Sequence, residues 1–425
     1  MICEISFMSS YEIRGKKRLE GEYVLQRAKN SALAVMCASV LVKGGTLIKD
    51  CPDISDVDNL SAILTRIGAV VRRTGDGLYV NTDGVYSSYL PEDLCEKLRA
   101  SLFLAGPLVA RFKAASFAYP GGCSIGARPI DIHLDGFSKL GAEVGKNEKR
   151  VNVFASSTIG AKIKLRYPSV GATLNVMCCA VTAKGETVVE NAAAEPEVKD
   201  VADYLSLCGA KIKGAGTSVL IIDGVEKLYG GKSFTPVPDR IECGSVLLAV
   251  LATGGEVAVR GANPANICNL LQKLRDNACK LHINNDIISI ITNGRAKGFE
   301  KVVTAPYPAF PTDLHPQLAA CAATAAGRTE ITETVFDSRF NYARQLKRFG
   351  ADVTVNPNGV TINGTDLTGA NVKAEDLRGG MALCIAAMAA EGVSTVEGVS
   401  HIARGYASFK EKFNALGASI AEIDP

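Results

Sequence analysis

The chain has 425 residues, of which 47% are hydrophobic and 21% are charged, so it can bury a large core and exceeds the length that one core usually supports. Its 47 basic and 44 acidic residues are mixed along the sequence, and the small net charge of +3 argues against a nucleic-acid partner. The 13 cysteines form no Cys-x-x-Cys pair, the four histidines lie far apart, and no uncharged run is long enough to cross a bilayer, so we expect a reduced cytoplasmic protein without a zinc site or membrane contact.

Six similar segments follow one another along the chain. In each segment an apolar helical pattern ends in a small residue, which is followed by a β-branched or apolar one. Glycine in this position is typical of the C′ residue that closes a helix. The repeat intervals of 67 to 73 residues are longer than those of most solenoids, so they favour closed globular domains. The small residues are Gly68, Gly141, Gly209, Ala278, Gly350 and Gly417.

A second series of patterns keeps the same period. It consists of uncharged, Ala-rich stretches, and because they are apolar on all sides they predict buried helices. Short strand patterns lie before and after each small residue, so each segment is predicted to contain a buried helix, a strand, a surface helix and two strands. The stretches lie at 30–42, 100–110, 171–183, 243–255, 314–327 and 379–390.

These patterns predict a mixed α/β (α+β) chain of two domains with three segments each. The Pro-rich stretch 235–238 is the best interior linker. We therefore assign residues 30–237 to the first domain and residues 1–29 plus 238–425 to the second.

Polar or charged residues stand at or beside the starts of the predicted buried helices. Helix N-termini present unpaired N–H groups and the positive end of the helix dipole, which suit anions. Each residue alone is ordinarily a cap or a solvated charge. Their recurrence at one phase of the repeat favours a shared ligand site in a cleft between domains. They are Lys29, Asn30, Arg99, 169–171, 239–242, Asp313 and Arg378.

The Gly-rich segment 119–131 is the most distinctive in the chain. Its three glycines are typical of a closing loop, and its polar surroundings argue against the ordinary reading of Cys123 as a small buried hydrophobe. The same segment contains a Gly-x-Ser-x-Gly pattern around Ser124, which would suit a serine hydrolase. Pro120 and Pro129 disfavour the strand and helix that this reading requires.

With these features in hand, the chain closely resembles the enolpyruvyl transferase family, and within it the UDP-N-acetylglucosamine 1-carboxyvinyltransferases. The resemblance runs essentially end to end. Its landmarks are AKNSAL from Ala28, KLRASLFLAGPLVARF from Lys97, PGGCSIGARPIDIH from Pro120, SVGAT from Ser169, NAAAEPEV from Asn191, PDRIECG from Pro238, PAFPTD from Pro308, ITETVFDSRF from Ile331, DLRGG from Asp376 and HIARGY from His401.

The resemblance implies a fold of two inside-out α/β barrel-like domains, each with three repeats, and an active site in the cleft between them. It implies transfer of the enolpyruvyl group of phosphoenolpyruvate to the 3′-hydroxyl of UDP-N-acetylglucosamine, the first committed step of peptidoglycan synthesis. No metal or organic cofactor is needed for this reaction, and we expect a monomer or weak homo-oligomer. Modification by fosfomycin at Cys123 is also implied.

The resemblance assigns roles to individual residues. Cys123 would protonate C3 of phosphoenolpyruvate and Asp313 would take the proton of the sugar hydroxyl, although a helix N-cap is the ordinary reading of an aspartate after Pro311. Lys29 and Arg404 would complete the catalytic set. The phosphoenolpyruvate site would use Lys29, Asn30, Arg128, Arg339, Arg378 and Arg404. The nucleotide-sugar site would use Arg99, Arg128, Pro129, Ile130, Asp131, Ile132, Tyr167, Ser169, Val170, Asp313 and Val335.

Two alternatives stay open. A transferase of the related 5-enolpyruvylshikimate-3-phosphate synthase type would have no role for Cys123. A non-catalytic paralogue would bind the nucleotide sugar without turnover. Four positions depart from the family pattern without removing a catalytic group, and they concern the uridine and loop contacts: Arg27, Tyr167, Ala194 and Ala403.

Overall fold

The computed structural model describes residues 9–119, 121, 129–292 and 294–423. These residues divide into two compact units. One comprises the residues up to Gln26 together with those from Pro238 onward, and the other runs from Arg27 to Val237. For comparison, the first domain expected from the sequence comprises residues 30–237.

The helices are short to medium in length, and several are preceded or followed by a 3-10 turn. In chain order the α-helices are α1 Lys29–Ala38, α2 Ser55–Arg66, α3 Glu92–Cys95, α4 Ala105–Phe112, α5 Asp131–Lys139, α6 Val170–Ala180, α7 Pro196–Leu207, α8 Arg240–Thr253, α9 Cys268–Arg275, α10 His315–Thr324, α11 Asn341–Leu346, α12 Leu377–Ala389, α13 Ser400–Ala403 and α14 Phe409–Ala415.

The strands are two to six residues long. They are β1 Ser10–Arg14, β2 Leu19–Val24, β3 Val42–Lys43, β4 Gly45–Lys49, β5 Val70–Thr74, β6 Gly77–Asn81, β7 Ala114–Ala118, β8 Glu143–Lys146, β9 Arg150–Phe154, β10 Lys162–Lys164, β11 Glu186–Glu190, β12 Lys211–Lys213, β13 Val219–Asp223, β14 Leu228–Tyr229, β15 Lys232–Phe234, β16 Gly255–Arg260, β17 Lys280–Asn284, β18 Ile287–Thr292, β19 Glu300–Val303, β20 Arg328–Thr332, β21 Asp352–Asn356, β22 Gly359–Asn363, β23 Asn371–Lys373, β24 Val393–Glu397 and β25 Ser419–Ile423.

The six buried helices predicted from the sequence are confirmed as α1, α4, α6, α8, α10 and α12. In α12 every residue from Leu377 to Ala389 is buried, which follows from an apolar surface on all sides. Several boundaries differ. Residues Arg99–Leu104 form a 3-10 helix ahead of α4. Helix α1 ends at Ala38, α6 at Ala180 and α10 at Thr324, each before the end of its predicted stretch. A 3-10 turn is common at either end of an α-helix, so helix ends are less well predicted from a sequence pattern than helix centres.

The small residues that close the surface helices have the expected backbone. After α2, Ile67 is the last residue with near-helical backbone, and Gly68 follows with φ +109°. The same sequence of events closes α7, where Gly209 has φ +107°. A residue with a side chain is strained at these backbone angles, so glycine ends these helices with the least conformational strain.

The unit from Arg27 to Val237 contains three main sheets and a small one. Their strand orders are β15-β4-β6-β5, β7-β9-β8 and β10-β11-β13-β12, with β14 paired to β3 in the small one. The outer strands β15 and β10 join their sheets in parallel, whereas the other pairs in the main sheets are antiparallel. The central strands alternate buried and partly exposed residues, as expected for sheets with one face on a helix layer.

The other unit contains three four-stranded sheets with orders β17-β18-β16-β2, β19-β20-β22-β21 and β23-β24-β1-β25. The N-terminal strands take part in two of them, since β2 pairs in parallel with β16 and β1 lies between β24 and β25. Helices α8, α10 and α12 form the centre of its hydrophobic core.

The two ends of the Arg27–Val237 unit are held together. The amide of Ala28 donates to the carbonyl of Val237 at 2.8 Å. The buried carboxylate of Asp200 on α7 accepts hydrogen bonds from the Ser31 hydroxyl and, at 2.8 Å, from the Val237 amide. One side chain therefore ties the start of α1 to the last residue of the unit.

Among the described helices, none combines the length and the apolar character needed to cross a membrane.

Candidate active site

Three of the predicted site residues, Asp313, Arg339 and Arg378, contact one another in the unit that contains the residues from Pro238 onward. Arg339 donates from Nη1 to Asp313 Oδ1 at 2.7 Å, and Arg378 donates from Nη2 and Nε to Oδ2 at 3.0 and 3.2 Å. Both arginine side chains are 5% exposed, whereas that of Asp313 is 27% exposed. The Asp313 carboxylate is therefore partly exposed to solvent and hydrogen-bonded to two buried guanidinium groups.

The position of Asp313 corrects its ordinary reading as a helix cap. It lies in the 3-10 turn Thr312–Leu314, and the N-cap residue of α10 is Leu314, which makes no side-chain cap bond. The aspartate therefore binds two arginines from elsewhere in the sequence.

Arg339 is oriented by a second set of contacts. Its Nη1 also donates to the Thr312 hydroxyl at 3.0 Å, and that hydroxyl donates to Glu333 Oε2 at 2.7 Å. The other oxygen of Glu333 accepts from the amide of Val335 at 2.7 Å. Val335, a predicted nucleotide-sugar residue, is thus connected to the cluster through Glu333 and Thr312.

The buried ring of His315 packs beside this group, with Nε2 3.5 Å from Glu333 Oε2. Burial, reinforced by the charge of Arg339, lowers the pKa of His315 well below its ordinary value. The imidazole is therefore neutral at physiological pH and adds no positive charge to the cluster.

Arg378 is supported on its other side by Tyr406. Arg378 Nη1 lies 3.3 Å from the phenol oxygen, which also contacts the Ser245 hydroxyl at 2.8 Å and Gln317 Nε2 at 3.2 Å. Burial by itself lowers the pKa of the Arg378 guanidinium, but the charge of Asp313 and the contact with the Tyr406 phenol outweigh it, and the pKa lies above its ordinary value. Arg378 is a permanent cation in a fixed orientation.

Helix caps fix the start of the two neighbouring buried helices. Asp376 Oδ1 accepts from the amides of Arg378 and Gly379 at 3.0 and 2.9 Å, and Asp239 Oδ1 caps α8 in the same way. Since the carboxylate of Asp376 holds the first turn of α12, the backbone of Arg378 cannot shift without losing the cap.

Arg404 lies in the same unit, directly after α13. Its charge contributes to the lowered pKa of His401, for which burial is the larger cause.

In the Arg27–Val237 unit, Lys29 and Asn30 occupy the first two positions of α1, whose N-cap Ala28 has no side chain that could cap it. The ammonium of Lys29 pairs with Asp56 at 2.8 Å, and these side chains are 12% and 2% exposed. The partner Asp56 was missed, because an aspartate in the first turn of a surface helix such as α2 is unremarkable in sequence.

Arg99 begins the 3-10 helix ahead of α4. Its charge helps to lower the pKa of the buried His133 to about 3, although burial is the larger cause. Asp131, the first residue of α5, pairs with Arg166, and this bond holds the pKa of Asp131 below its ordinary value. Asp131 Oδ1 also accepts from the amide of Ile132 at 2.9 Å.

The remaining nucleotide-sugar candidates lie at the starts of α5 and α6. Pro129 and Ile130 lead into α5, where Ile130 is the N-cap residue. The amide of Ser169 donates to the carbonyl of Tyr167 at 2.7 Å, and the Ser169 hydroxyl caps α6, whose first residue is Val170. Cys123 and Arg128 lie outside the described residues, as does most of segment 119–131.

Within the described ranges, no group of three or more His, Cys, Asp or Glu side chains is arranged to hold a metal ion.

Comparison with known proteins agrees with the motifs. A family model for EPSP synthase (3-phosphoshikimate 1-carboxyvinyltransferase) matches residues 13–413. UDP-N-acetylglucosamine 1-carboxyvinyltransferase 2 of Caldanaerobacter subterraneus subsp. tengcongensis is 44% identical over 417 residues, which cover 98% of this chain and all of that protein. UDP-N-acetylglucosamine 1-carboxyvinyltransferase of Escherichia coli is 40% identical over 418 residues, covering 98% of this chain and 99% of the relative.

Solved structures have the same fold. The enolpyruvyl transferase NikO from Streptomyces tendae superimposes with a TM-score of 0.87 at 24% identity, covering 98% of this chain and 99% of that one. EPSP synthase from Acinetobacter baumannii has a TM-score of 0.75 at 18% identity, covering 98% and 100%. With the family model and the two relatives, these matches lead to one conclusion: the chain belongs to the EPSP synthase family of enolpyruvyl transferases, in the branch whose members are named UDP-N-acetylglucosamine 1-carboxyvinyltransferase.

Proposed function

We propose that this protein transfers the enolpyruvyl group of phosphoenolpyruvate to the 3′-hydroxyl of UDP-N-acetylglucosamine and releases phosphate. The names of the two relatives support this substrate pair. The observation that carries the proposal is the pairing of Asp313 with Arg339 and Arg378, because it joins a partly exposed carboxylate to fixed cations within one cluster.

The cluster suits a small dianion. Phosphoenolpyruvate carries a phosphate and a carboxylate, and planar guanidinium groups bind both kinds of oxygen in pairs. In the described part of the chain, Nε of Arg339 is buried without a hydrogen-bond partner, so this arginine has an unused donor that an anion could satisfy. Lys29, Asn30, Arg128 and Arg404 complete the proposed site by their positions in matching motifs.

The reaction needs one acid and one base. A proton is added to C3 of phosphoenolpyruvate while the sugar oxygen attacks C2, and the hydroxyl proton passes to a base. Asp313, a carboxylate within reach of solvent, is the proposed base. Cys123 is the proposed acid, because a thiol is mostly protonated at neutral pH.

The second half of the reaction reverses the first proton transfer. The C2–O bond to phosphate breaks with its electron pair on the phosphate, and C3 gives up a proton to form the enol ether. The buried arginines are positioned to stabilise charge on the departing phosphate. The nucleotide-sugar residues proposed above would hold the acceptor, with Arg99, Asp131 and Ser169 at the starts of helices.

We also propose that each unit closes as an inside-out α/β barrel. In the Arg27–Val237 unit the late strand β15 pairs with the early strand β4, and in the other unit β1 and β2 link the first and last sheets. Such pairings join the ends of each unit.

The proposal includes a cytoplasmic location and a role at the first committed step of peptidoglycan synthesis, and through it in cell-wall growth, cell shape and division.

The test is phosphate release by the purified full-length protein. We expect release from phosphoenolpyruvate only when UDP-N-acetylglucosamine is present, together with a product that is one enolpyruvyl group heavier. Release with shikimate 3-phosphate alone would support the shikimate-type transferase instead. Binding of the nucleotide sugar without any phosphate release would support the non-catalytic paralogue.

A second experiment addresses Cys123. After treatment with the epoxide fosfomycin, mass spectrometry should find one adduct, on Cys123, and Cys123→Ser should remove it together with turnover. The exposed Cys268 serves as an internal control, since it is a solvent-accessible thiol outside the Gly-rich segment. Equal labelling of both cysteines would contradict a special role for Cys123.

A further inference from the structure

Gln26 is the last residue of the N-terminal segment, two residues after β2, and it forms hydrogen bonds with residues far along the chain. Its amide donates to Glu242 Oε2 at 2.8 Å, and its carbonyl accepts from the amide of Asp239 at 3.0 Å. Both partners lie at the start of α8. The backbone of Gln26 is therefore fixed on both sides by that helix start.

The side chain of Gln26 clasps a turn 379 residues later in the chain. Its Nε2 donates to the carbonyl of Gly405 at 2.8 Å, and its Oε1 accepts from the amide of Ala407 at 2.9 Å. The two backbone groups are a carbonyl and an N–H, so they also dictate which way the amide points. One side-chain amide thus pairs with two backbone groups of the turn that follows Arg404, the Gly405 carbonyl and the Ala407 amide.

The clasp is anchored in a rigid part of the unit. Glu242, which receives the Gln26 amide, has no exposed surface, and its Oε1 accepts from Lys412 Nζ at 2.9 Å and from the Tyr23 hydroxyl at 2.8 Å. Burial raises the pKa of Glu242, and the charge of Lys412 opposes this rise. Breaking a buried pair of this kind is costly, so the anchor keeps its position.

The turn itself is held from the other side by Tyr406. Its amide donates to the carbonyl of Ile402 at 3.0 Å, and its phenol reaches Arg378 in the Asp313 cluster. A Cβ added to Gly405 would come within 2.6 Å of Leu377 Cδ2, so the backbone there packs closely on α12. With Gln26 on one side and Tyr406 on the other, the chain just after Arg404 is held by contacts from two directions.

We propose that Gln26 is a positioning residue for Arg404. This inference rests on the function proposed above, in which Arg404 binds phosphoenolpyruvate. Gln26 does not touch the reacting atoms in this role. It fixes the backbone from which Arg404 extends and keeps that arginine in register with Arg378, to which the same turn is joined through Tyr406.

The test separates binding of the two substrates. Gln26→Ala removes both bonds of the clasp, and the isosteric Gln26→Glu keeps the bond from Ala407 but places an oxygen against the carbonyl of Gly405. Because small displacements of a positioning group have large kinetic effects, we expect both variants to raise the KM for phosphoenolpyruvate by about 10- to 100-fold. The KM for UDP-N-acetylglucosamine should change by less than about twofold, a split that loss of folded protein would not produce.

Asn414 provides a matched control in the same unit. Its side-chain amide makes an equivalent clasp, donating to the carbonyl of Ile420 at 2.8 Å and accepting from its amide at 2.9 Å. Asn414→Ala should lower the melting temperature as Gln26→Ala does, but leave both KM values unchanged. Circular dichroism checks folding, and Gln26→Glu serves if Gln26→Ala does not fold.

The outcomes distinguish the two proposals. An active wild-type protein whose Gln26 variants keep the normal KM for phosphoenolpyruvate, or raise both KM values equally, overturns the positioning role alone. A wild-type protein without turnover overturns the proposed function and this inference with it.

Discussion

Arg378 donates two hydrogen bonds to a single oxygen of Asp313, from Nε and Nη2, while Arg339 binds the other oxygen of the same carboxylate. The carboxylate is thereby held in one orientation by groups that cannot lose their charge. Its orientation is set before any substrate arrives, which is the condition for effective proton transfer and anion binding.

Replacing Arg378 by lysine tests the planar fork. Lysine keeps the charge but cannot donate twice to one oxygen while also contacting Tyr406, so we expect kcat/KM for phosphoenolpyruvate to fall by about 10- to 100-fold. Steady-state phosphate release measures the effect. Arg328→Lys is the matched control, since Arg328 is an exposed residue of β20 that pairs with Glu330. Equal activity of the two variants would argue against a role for guanidinium geometry.

Asp313→Asn tests the proposed base. The amide is close in size but cannot accept a proton, so kcat should fall by about 10²- to 10⁴-fold. The same substitution brings an amide N–H group against a buried guanidinium, which should lower the free energy of unfolding by about 1–3 kcal/mol. Urea denaturation measures the second effect. Asp337→Asn, an exposed change in the same region, should alter neither quantity. A normal kcat in Asp313→Asn would remove the aspartate from the mechanism.

Asp56→Asn tests how Lys29 is held. The change leaves the ammonium in place but removes the charge of its partner, which is almost fully buried. We expect kcat/KM to fall by about tenfold, because a long flexible side chain is then less well fixed. Asp58→Asn, on the same helix turn, affects only an exposed pair with Arg73 and should be neutral. If the two variants behave alike, the Lys29–Asp56 pair has no part in positioning.

Lys412→Met tests the buried pair with Glu242. The carboxylate keeps its bonds from Tyr23 and Gln26 but loses its cation, and we expect the free energy of unfolding to fall by about 2–4 kcal/mol. The double variant with Glu242→Gln should recover part of this loss, since it removes the charge left behind. Lys410→Met, which breaks only partly exposed pairs, is the control and should change stability by less than about 0.5 kcal/mol. Additive single and double variants would show that the two groups are not coupled.

The raised pKa of Asp200 predicts that the free energy of unfolding depends on pH. Burial raises its pKa from 3.8 to about 6, and the hydrogen bonds from Ser31 and Val237 oppose this rise. Between about pH 4 and pH 6 the folded protein therefore binds more protons at this site than the unfolded chain, and the free energy of unfolding falls as pH rises through that window. The loss is complete above about pH 6 and amounts to about 2–3 kcal/mol at most.

Asp200→Asn removes this loss, because the amide does not ionise and its oxygen can still accept both hydrogen bonds. The variant should melt at a higher temperature than the wild type at pH 8 and at nearly the same temperature at pH 4. Asp203→Asn, which changes a half-exposed residue paired with Lys199, controls for the general loss of a negative charge. A variant that is less stable than the wild type at pH 8 would rule out the burial argument.

The sequence allowed the buried helices to be predicted because their signal is local. An all-apolar run as long as 379–390 exceeds the usual length of a strand and therefore predicts a buried helix. A glycine such as Gly68 marks the end of a surface helix through its backbone freedom. The parallel outer strands β10, β15 and β23 were missed. Each is three residues long and carries lysine, so its strand character comes from the neighbour it pairs with.

Candidate site residues were proposed by type and motif, but most of the groups that hold them were not. Asp313, Arg339 and Arg378 were assigned to one site, whereas their direct pairing depends on contacts between residues 26 and 65 positions apart, which no local pattern encodes. Tyr406 stood inside the HIARGY landmark, so an aromatic residue beside Arg404 was an available signal. No sequence signal marked Gln26, because its hydrogen bond to Gly405 exists only in the folded chain.

The bond between the amide of Ala28 and the carbonyl of Val237 has a consequence for how such a protein can be rearranged. The Arg27–Val237 segment begins and ends at neighbouring points, so in topological terms it is an insertion into the rest of the polypeptide. Recombination that exchanges the entire piece between homologous genes needs only two junctions, and both fall side by side in space.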